Sequence, residues 1–282
     1  MRDLRLIAWL LYKKSDVISN ALKIALSRLI IQKKRGASLA GDVSHSRPHR
    51  IREKNDFDVL DEFMKSVNRL INILQNQESM PSAIVKHGDA RNMKSLKNNS
   101  VDSIVTSPPY LNAIDYLRGH KMSLVWFGYR VSELRKIRSD AVGISRAPNP
   151  KMELETAKKL VSSCHGLDKL PSNKQAMILR YACDVDAFLK EASRVLRPNG
   201  TAVYVIGNSC IQNIYVDNAS IVVNAANKYR LRLVDRYERE LLPTKRYLPP
   251  PDKSSTTSIN QRMGVECILS FRKLKAKAHN MN

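Results

Sequence analysis

The segment Val101–Tyr110, with the sequence VDSIVTSPPY, decides the fold that the chain is expected to adopt. Residues 101–106 are rich in β-branched side chains, which favours a strand. The strand has to end at Ser107, because Pro108 and Pro109 cannot donate hydrogen bonds to a β ladder. The segment therefore predicts a strand that leads directly into a stiff loop.

Further strands and helices are predicted on both sides of this segment. Because strands alternate with helices, they indicate a mainly parallel α/β sheet with helices on both faces. The last two strands have no helix between them, which favours an antiparallel pair at one edge. The predicted strands are residues 83–85, 101–105, 201–206, about 231–242 and 264–272, and the predicted helices between them run from Ser172 towards Leu196 and over 217–228.

Polar side chains follow three of these strands. Asp89, Ser107 and Asn208 each come shortly after a predicted strand. Ligands of open α/β sheets bind at the carboxyl ends of the strands. We therefore expect the three side chains to lie on one rim of the sheet.

The first part of the chain is predicted to be helical and basic. Asp16 is a candidate N-cap for one amphipathic helix, and residues 57–74 show the apolar spacing of another. We expect a helical N-terminal region at 1–80 and an α/β domain at 81–282. A basic insertion at about 111–171 interrupts that domain.

The charge of the chain indicates a polyanionic partner. Its 48 Lys and Arg residues exceed its 26 acidic residues, giving a formal net charge of +22. Nucleic acids bind such proteins tightly, because each neutralised phosphate releases condensed counterions. A solubility device and a ribosome-associated protein are the other readings of this charge.

The four cysteines and the apolar segments argue for a cytoplasmic protein. Cys164, Cys183, Cys210 and Cys267 form no CxxC pair and have no histidine cluster beside them, so we expect reduced thiols and no metal site. The apolar stretch near the start, residues 6–11, is too short for a membrane span or a signal peptide.

The Ser-Pro-Pro-Tyr sequence suits a reaction on an exocyclic amino group of a nucleic-acid base. The lone pair of such a nitrogen is delocalised into the ring. An enzyme therefore helps by accepting hydrogen bonds from the amino group and holding it in line with an electrophile. The Ser107 hydroxyl and the Pro108 carbonyl are suitable acceptors, and Pro109 keeps the loop stiff. The Tyr110 ring can stack on a base swung out of its duplex.

In this strand-and-loop context the chain resembles the DNA amino-methyltransferases. Their catalytic motif is Asp, Asn or Ser, then Pro-Pro, then an aromatic residue, directly after an apolar strand. The resemblance spans roughly residues 83–272 and includes the segment 194–209. It implies a class I, Rossmann-like fold and S-adenosylmethionine as methyl donor. Asp89, with its neighbour Ala90, resembles the family's acidic loop that contacts the cofactor's adenine.

The resemblance leaves the substrate open between several classes. Ser107 before Pro-Pro favours cytosine N4 over adenine N6 as the methylated atom. An RNA enzyme with the same chemistry, such as one acting on a guanine amino group of transfer RNA, is an alternative. A nucleic-acid-binding subunit without catalysis is a third. For DNA, we expect the basic insertion to contact the backbone through Arg118, Arg138 and Arg146.

One hallmark of the family is missing from the sequence. The family's glycine-rich cofactor loop requires neighbouring glycines, and none of the ten glycines here forms a G-x-G. The two strands that would carry this loop are also absent before residue 83. The chain is thus expected to be half of a split enzyme with a separate polypeptide, an inactive remnant, or an enzyme with a differently built cofactor site. We favour the split enzyme.

Overall fold

The computed structural model describes residues 2–31, 36–38, 55–76, 82–111, 116–143, 154–212, 214–241 and 265–275. The chain divides into two compact units. Residues 1–85 and 115–140 form the helical unit, and residues 86–114 and 141–282 form the sheet unit. The division expected from the sequence placed residues 115–140 inside an insertion of the α/β domain, whereas here they group with the N-terminal helices.

The helical unit contains five described helices. Helix α2 begins where the sequence predicts, because the Asp16 carboxylate accepts from the Ser19 backbone N–H at 2.9 Å and from its hydroxyl at 2.6 Å. The helices are α1 (Arg2–Leu10), α2 (Val17–Ile30), α3 (Val59–Gln75), α4 (Tyr116–Trp126) and α5 (Val131–Asp140).

A small apolar core explains why residues 115–140 join this unit. Leu4, Leu26 and Ile30 are fully buried at its centre. Met122 and Trp126 of α4 pack against that cluster. Hydrophobic side chains on the later helix therefore complete the core of the earlier ones.

Helix α3 shows the amphipathic pattern expected from its sequence, but most of its apolar side chains are exposed. Val59 and Ser66 are its buried residues. Leu60 and Leu74, predicted to lie on a packed face, are more than half exposed within the described part of the chain.

The sheet unit contains a four-stranded mixed sheet with the order β1-β2-β6-β5. Strand β1 pairs with β2 in parallel, and β6 pairs with both β2 and β5 in antiparallel fashion. For the described strands, the predictions of an α/β fold, an incomplete sheet and a final antiparallel pair are thus confirmed. The prediction of a mainly parallel sheet is wrong for these strands, because β1–β2 is parallel whereas β6 runs antiparallel to both of its neighbours. The strands are β1 (Val101–Thr106), β2 (Leu196–Gly207), β5 (Leu231–Glu240) and β6 (Val265–Lys273), with a small unpredicted hairpin of β3 (Ser209–Ile211) and β4 (Ile214–Val216).

One face of the sheet carries the hydrophobic core. Tyr204 of β2 and Phe271 of β6 are buried there, with ring centroids 6.0 Å apart in an edge-to-face arrangement. Leu189 of the long helix packs into the same core. The opposite face, with Val205 and Ile268, is only half-buried among the described residues, so the prediction of helices on both faces is not met there. The helices of the unit are α6 (Leu154–Leu160), α7 (Ser172–Val195) and α8 (Asn218–Lys228).

The strand predicted at residues 83–85 is wrong. Residues 82–88 have no strand conformation, and the side chains of Ile84 and Val85 are 83% and 95% exposed. A three-residue apolar segment becomes a strand only when a neighbour supplies hydrogen bonds and burial. No described strand pairs with this segment.

The described residues contain neither a membrane-spanning helix nor a cluster of metal ligands. None of their helices has the length and hydropathy needed to cross a membrane. Within the same ranges, no group of three or more His, Cys, Asp or Glu side chains is placed to bind a metal ion.

Two glycines provide a matched test of this fold. A Cβ at Gly200 would lie 2.9 Å from the carbonyl oxygens of Arg197 and Asp102, whereas a Cβ at Gly119 of α4 would meet nothing within 4 Å. We expect Gly200→Ala to destabilise the sheet unit by about 1–3 kcal/mol through overpacking. Gly119→Ala should stabilise α4 by about 1 kcal/mol through helix propensity. Thermal unfolding measures both, and an unchanged midpoint for Gly200→Ala would contradict the β1–β2 packing.

Candidate active site

The Ser-Pro-Pro-Tyr loop follows β1 at the carboxyl end of the sheet. The Ser107 side chain is exposed, and Pro108, Pro109 and Tyr110 are half-buried. The Ser107 hydroxyl lies 3.3 Å from the Val205 carbonyl of the adjacent strand β2. The loop therefore sits on the rim of the sheet with its serine open to solvent, and its tyrosine is not part of the core.

A chain of hydrogen bonds ties this loop to the far side of the sheet. The Ser107 and Tyr110 hydroxyl oxygens are 3.0 Å apart. The Tyr110 hydroxyl donates to Glu266 Oε1 at 3.0 Å, and Arg239 donates to Glu266 Oε2 at 2.6 Å. Glu266 and Arg239 were not identified from the sequence. They reach the loop because Arg239 of β5 lies opposite Glu266 of β6 in the antiparallel register.

Gly143 supports the loop from another side. It has a φ of +76°, and a Cβ there would lie 3.2 Å from the Tyr110 carbonyl oxygen and 3.5 Å from that of Pro109. A larger residue would be strained in this conformation and would crowd the loop. No local pattern indicates this role, since Gly143 lies more than thirty residues beyond the motif.

Asp89 lies in a tight turn and is held by Arg91. The Arg91 guanidinium donates to Asp89 Oδ2 at 2.7 Å through Nη2, and its backbone N–H donates to Oδ1 at 2.9 Å. Hydrogen bonds from Arg91 hold the pKa of the Asp89 carboxyl below its usual value. Its side chain is 48% exposed, and Ala90 beside it is exposed too. An ionised, accessible acceptor is therefore present at this turn.

Asp184 of α7 connects the turn with the Ser-Pro-Pro-Tyr loop. Its side chain is fully buried, and its Oδ1 accepts from Arg91 Nη1 at 2.7 Å. Burial raises the pKa of the Asp184 carboxyl, although Arg91 acts in the opposite direction. The backbone of Gly143, the residue packed against the loop carbonyls, also acts on the Asp184 carboxyl and lowers its pKa. Sequence reasoning missed Asp184, because a single acidic residue inside a helix carries no local signature.

Asn208 follows β2 as predicted, on the same rim as Ser107, since the two strands are parallel neighbours. Its side chain is engaged locally: the amide donates to the Tyr215 hydroxyl at 2.7 Å and accepts from the Ala219 backbone N–H at 3.0 Å. Asn208 therefore anchors the beginning of α8. Of the three residues predicted to share the rim, Asp89 alone follows no strand.

The surroundings of Ser107 are open. A cavity of about 360 Å³ is lined by Arg91, Asp184 and Asp186, and Ser107 is not among its lining residues. Because its side chain is exposed, Ser107 lies on the surface of the described chain.

The three arginines expected to contact DNA fall outside the sheet unit or outside the described residues. Arg138 is exposed on α5 of the helical unit. Arg118 lies on α4, and its side chain is outside the described part of the structure, as is all of Arg146.

Comparisons with known proteins lead to a methyltransferase relative. No family model matches the chain. It is 24% identical over 221 residues to the type II methyltransferase M.MvaI of Kocuria varians. The aligned residues cover 71% of this chain and 47% of that protein. The chain therefore spans about half the length of this curated relative.

Solved structures give a weaker likeness. TTHA0409 of Thermus thermophilus, a candidate DNA modification methylase, was solved in complex with S-adenosyl-L-methionine. It has a TM-score of 0.33 and 17% identity to this chain, covering 69% of this chain and 57% of that one. Another structure of TTHA0409 gives a TM-score of 0.34.

Asp184→Asn tests whether this buried carboxylate stabilises both the turn at Asp89 and the Ser-Pro-Pro-Tyr loop. Asp186→Asn is the matched control, since Asp186 lies on the same helix but binds Lys228 at 2.6 Å and Tyr229 at 2.7 Å. Losing a charge-assisted bond of about 1.5–3 kcal/mol should speed amide exchange about tenfold to hundredfold at residues 89–93 and at the amides of Ser107, Tyr110 and Leu111. Hydrogen-exchange mass spectrometry measures this. Equal protection in both variants would show that Asp184 does not hold the loops.

Proposed function

We propose that the chain is the catalytic-loop part of an S-adenosylmethionine-dependent DNA methyltransferase that modifies an exocyclic base amino group, with cytosine N4 favoured over adenine N6. The observation that carries this proposal is the exposed Ser107 of a Ser-Pro-Pro-Tyr loop directly after a strand, at the rim of an α/β sheet. The sequence relationship to M.MvaI supports it.

The loop provides the groups that methylation of an amine requires. The Ser107 oxygen and the Pro108 carbonyl accept the two N–H bonds of the amino group, which shifts its lone pair away from the ring. The Tyr110 ring stacks on the extruded base and fixes its plane. The nitrogen would take up the methyl group as the bond between that methyl group and its donor sulfur breaks, and the nitrogen would then release a proton to solvent.

The residues present fit one end of the cofactor. When bound, S-adenosylmethionine supplies an electrophilic methyl group. Asp89 would accept from the adenine amino group, since its carboxylate is ionised and half-exposed, and the neighbouring Ala90 leaves room beside it. The methionine end needs a close backbone approach, and the chain has no pair of neighbouring glycines for it.

A separate polypeptide would complete the site. Strand β1 is an outer strand of the described sheet, and its Val105 side chain is 76% exposed. An uncovered apolar edge strand favours pairing with further strands. The proposed partner adds strands beside β1 and brings the glycine-rich loop to the catalytic loop. The half-length match to M.MvaI is compatible with such a division.

The catalytic role of the loop is tested by Ser107→Ala and Tyr110→Ala in the reconstituted complex. We expect methyl transfer to fall about hundredfold or more, as when one transition-state hydrogen bond is removed, with nucleic-acid binding retained. Ser103 is an exposed serine of β1, the strand before the loop, and Ser103→Ala should leave the rate unchanged. Wild-type rates in the Ser107→Ala complex would favour a non-catalytic subunit. Methyl transfer to RNA alone would favour the RNA enzyme.

The partner proposal is tested by charges placed on opposite edges of the sheet. Val105 of β1 and Val234 of β5 are both exposed valines on outer strands. Co-expression with the adjacent open reading frame should give a stable complex that binds S-adenosylmethionine. Val105→Glu should abolish that complex in size-exclusion chromatography, while Val234→Glu should not. A monodisperse wild-type chain that binds the cofactor unaided would contradict the proposal.

DNA contact by the basic segment is tested by charge reversal. We propose that Arg118, Arg138 and Arg146 contact the DNA backbone. Arg138→Glu should weaken binding and lower the slope of log K against log salt by about one. Lys65→Glu is the control, because Lys65 already pairs with Asp61 at 2.6 Å. Equal slopes for Arg138→Glu and the wild-type chain would remove Arg138 from the interface.

A further inference from the structure

The hydrogen bonds around Tyr110 have a fixed direction. The Tyr110 hydroxyl gives its single proton to Glu266 Oε1, 3.0 Å away. The Tyr110 oxygen is then available only as an acceptor towards Ser107. The other neighbour of the Ser107 hydroxyl, the Val205 carbonyl, is also an acceptor. The Ser107 hydroxyl proton is therefore donated either to the Tyr110 oxygen or to the Val205 carbonyl.

Arg239 binds the second oxygen of Glu266. Its guanidinium bonds Glu266 Oε2, while Oε1 faces Tyr110. The Glu266 side chain is only 13% exposed, so solvent screens its interaction with Arg239 weakly. Each of its two oxygens accepts a hydrogen bond, one from Tyr110 and one from Arg239.

We infer that Glu266 is a positioning residue of the methyl-transfer reaction, acting through the Tyr110 hydroxyl to keep the lone pairs of Ser107 free for the amino group of the target base. This inference rests on the proposed function. Without Glu266, the Tyr110 proton can turn towards Ser107 and occupy a lone pair that should accept from the substrate. Glu266 thereby makes the loop select a hydrogen-bond donor, an amine, over an acceptor such as a carbonyl.

A double-mutant cycle tests the inference in the reconstituted complex. Tyr110→Phe keeps the stacking ring and removes the hydroxyl, and Glu266→Ala removes the acceptor. We expect each to lower kcat about tenfold, equivalent to about 1.4 kcal/mol, with the Kd for DNA unchanged. The double variant should be no slower than Tyr110→Phe alone, because Glu266 acts only through that hydroxyl.

The controls use the neighbouring strand. Glu238→Gln removes a carboxylate that pairs with Arg236 at 3.2 Å on β5, and Tyr237→Phe removes a hydroxyl from an exposed tyrosine there. Neither should change kcat. In Glu266→Gln the amide oxygen can still accept from Tyr110, so this variant should retain more activity than Glu266→Ala. It replaces Glu266→Ala in the cycle if the alanine variant does not fold. Multiplied losses in the double variant, about hundredfold, would overturn the inference.

A second measurement does not depend on activity. The difference between ultraviolet titrations of the wild-type chain and Tyr110→Phe isolates the ionisation of Tyr110. In Glu266→Ala the same difference should move to lower pH, because a neighbouring anion no longer opposes ionisation of the phenol. An unchanged titration overturns the inference. A shifted titration in a complex that transfers no methyl group would support the hydroxyl chain and contradict the proposed function.

Discussion

The absence of two backbone donors at the end of one strand determines the candidate site. Pro108 and Pro109 cannot continue the ladder that β1 forms with β2, so the chain leaves the sheet immediately after Thr106. The same constraint leaves Ser107 exposed at the rim with its hydroxyl next to a β2 carbonyl. A loop with two prolines also has few conformations to lose on binding, so its acceptors stay in place when a base arrives.

Residues from distant parts of the sequence hold this loop. Glu266 reaches the Tyr110 hydroxyl from β6, and Gly143 packs against the loop carbonyls. Asp184 accepts from Arg91, which holds Asp89, and the backbone of Gly143 lowers the pKa of the same carboxyl. One buried carboxylate therefore lies beside both the support of the Ser-Pro-Pro-Tyr loop and the turn proposed for the cofactor, which couples the two segments.

The sequence predicted the features that depend on local chemistry. Strands 101–106 and 201–206, the cap at Asp16 and the long helix beginning at Ser172 follow from periodicity, capping and proline. The strand predicted at residues 83–85 is wrong, because strand formation there depends on a neighbouring strand that the described part of the chain does not contain. Glu266 and Asp184 could not be found, because their roles come from strand register and helix packing and leave no mark on the residues beside them.

The central claim is that the Ser-Pro-Pro-Tyr loop accepts hydrogen bonds from a base amino group. The most direct test of it is the chemical position of the transferred methyl group. The chain, reconstituted with the polypeptide encoded beside it, is incubated with DNA and S-adenosylmethionine carrying an isotopically labelled methyl group, and the nucleosides are analysed by mass spectrometry. We predict label on an exocyclic nitrogen, on N4 of cytosine before N6 of adenine. Label on a ring carbon such as C5 of cytosine would contradict it, because a hydroxyl and a carbonyl that accept from an amine offer nothing to activate a carbon.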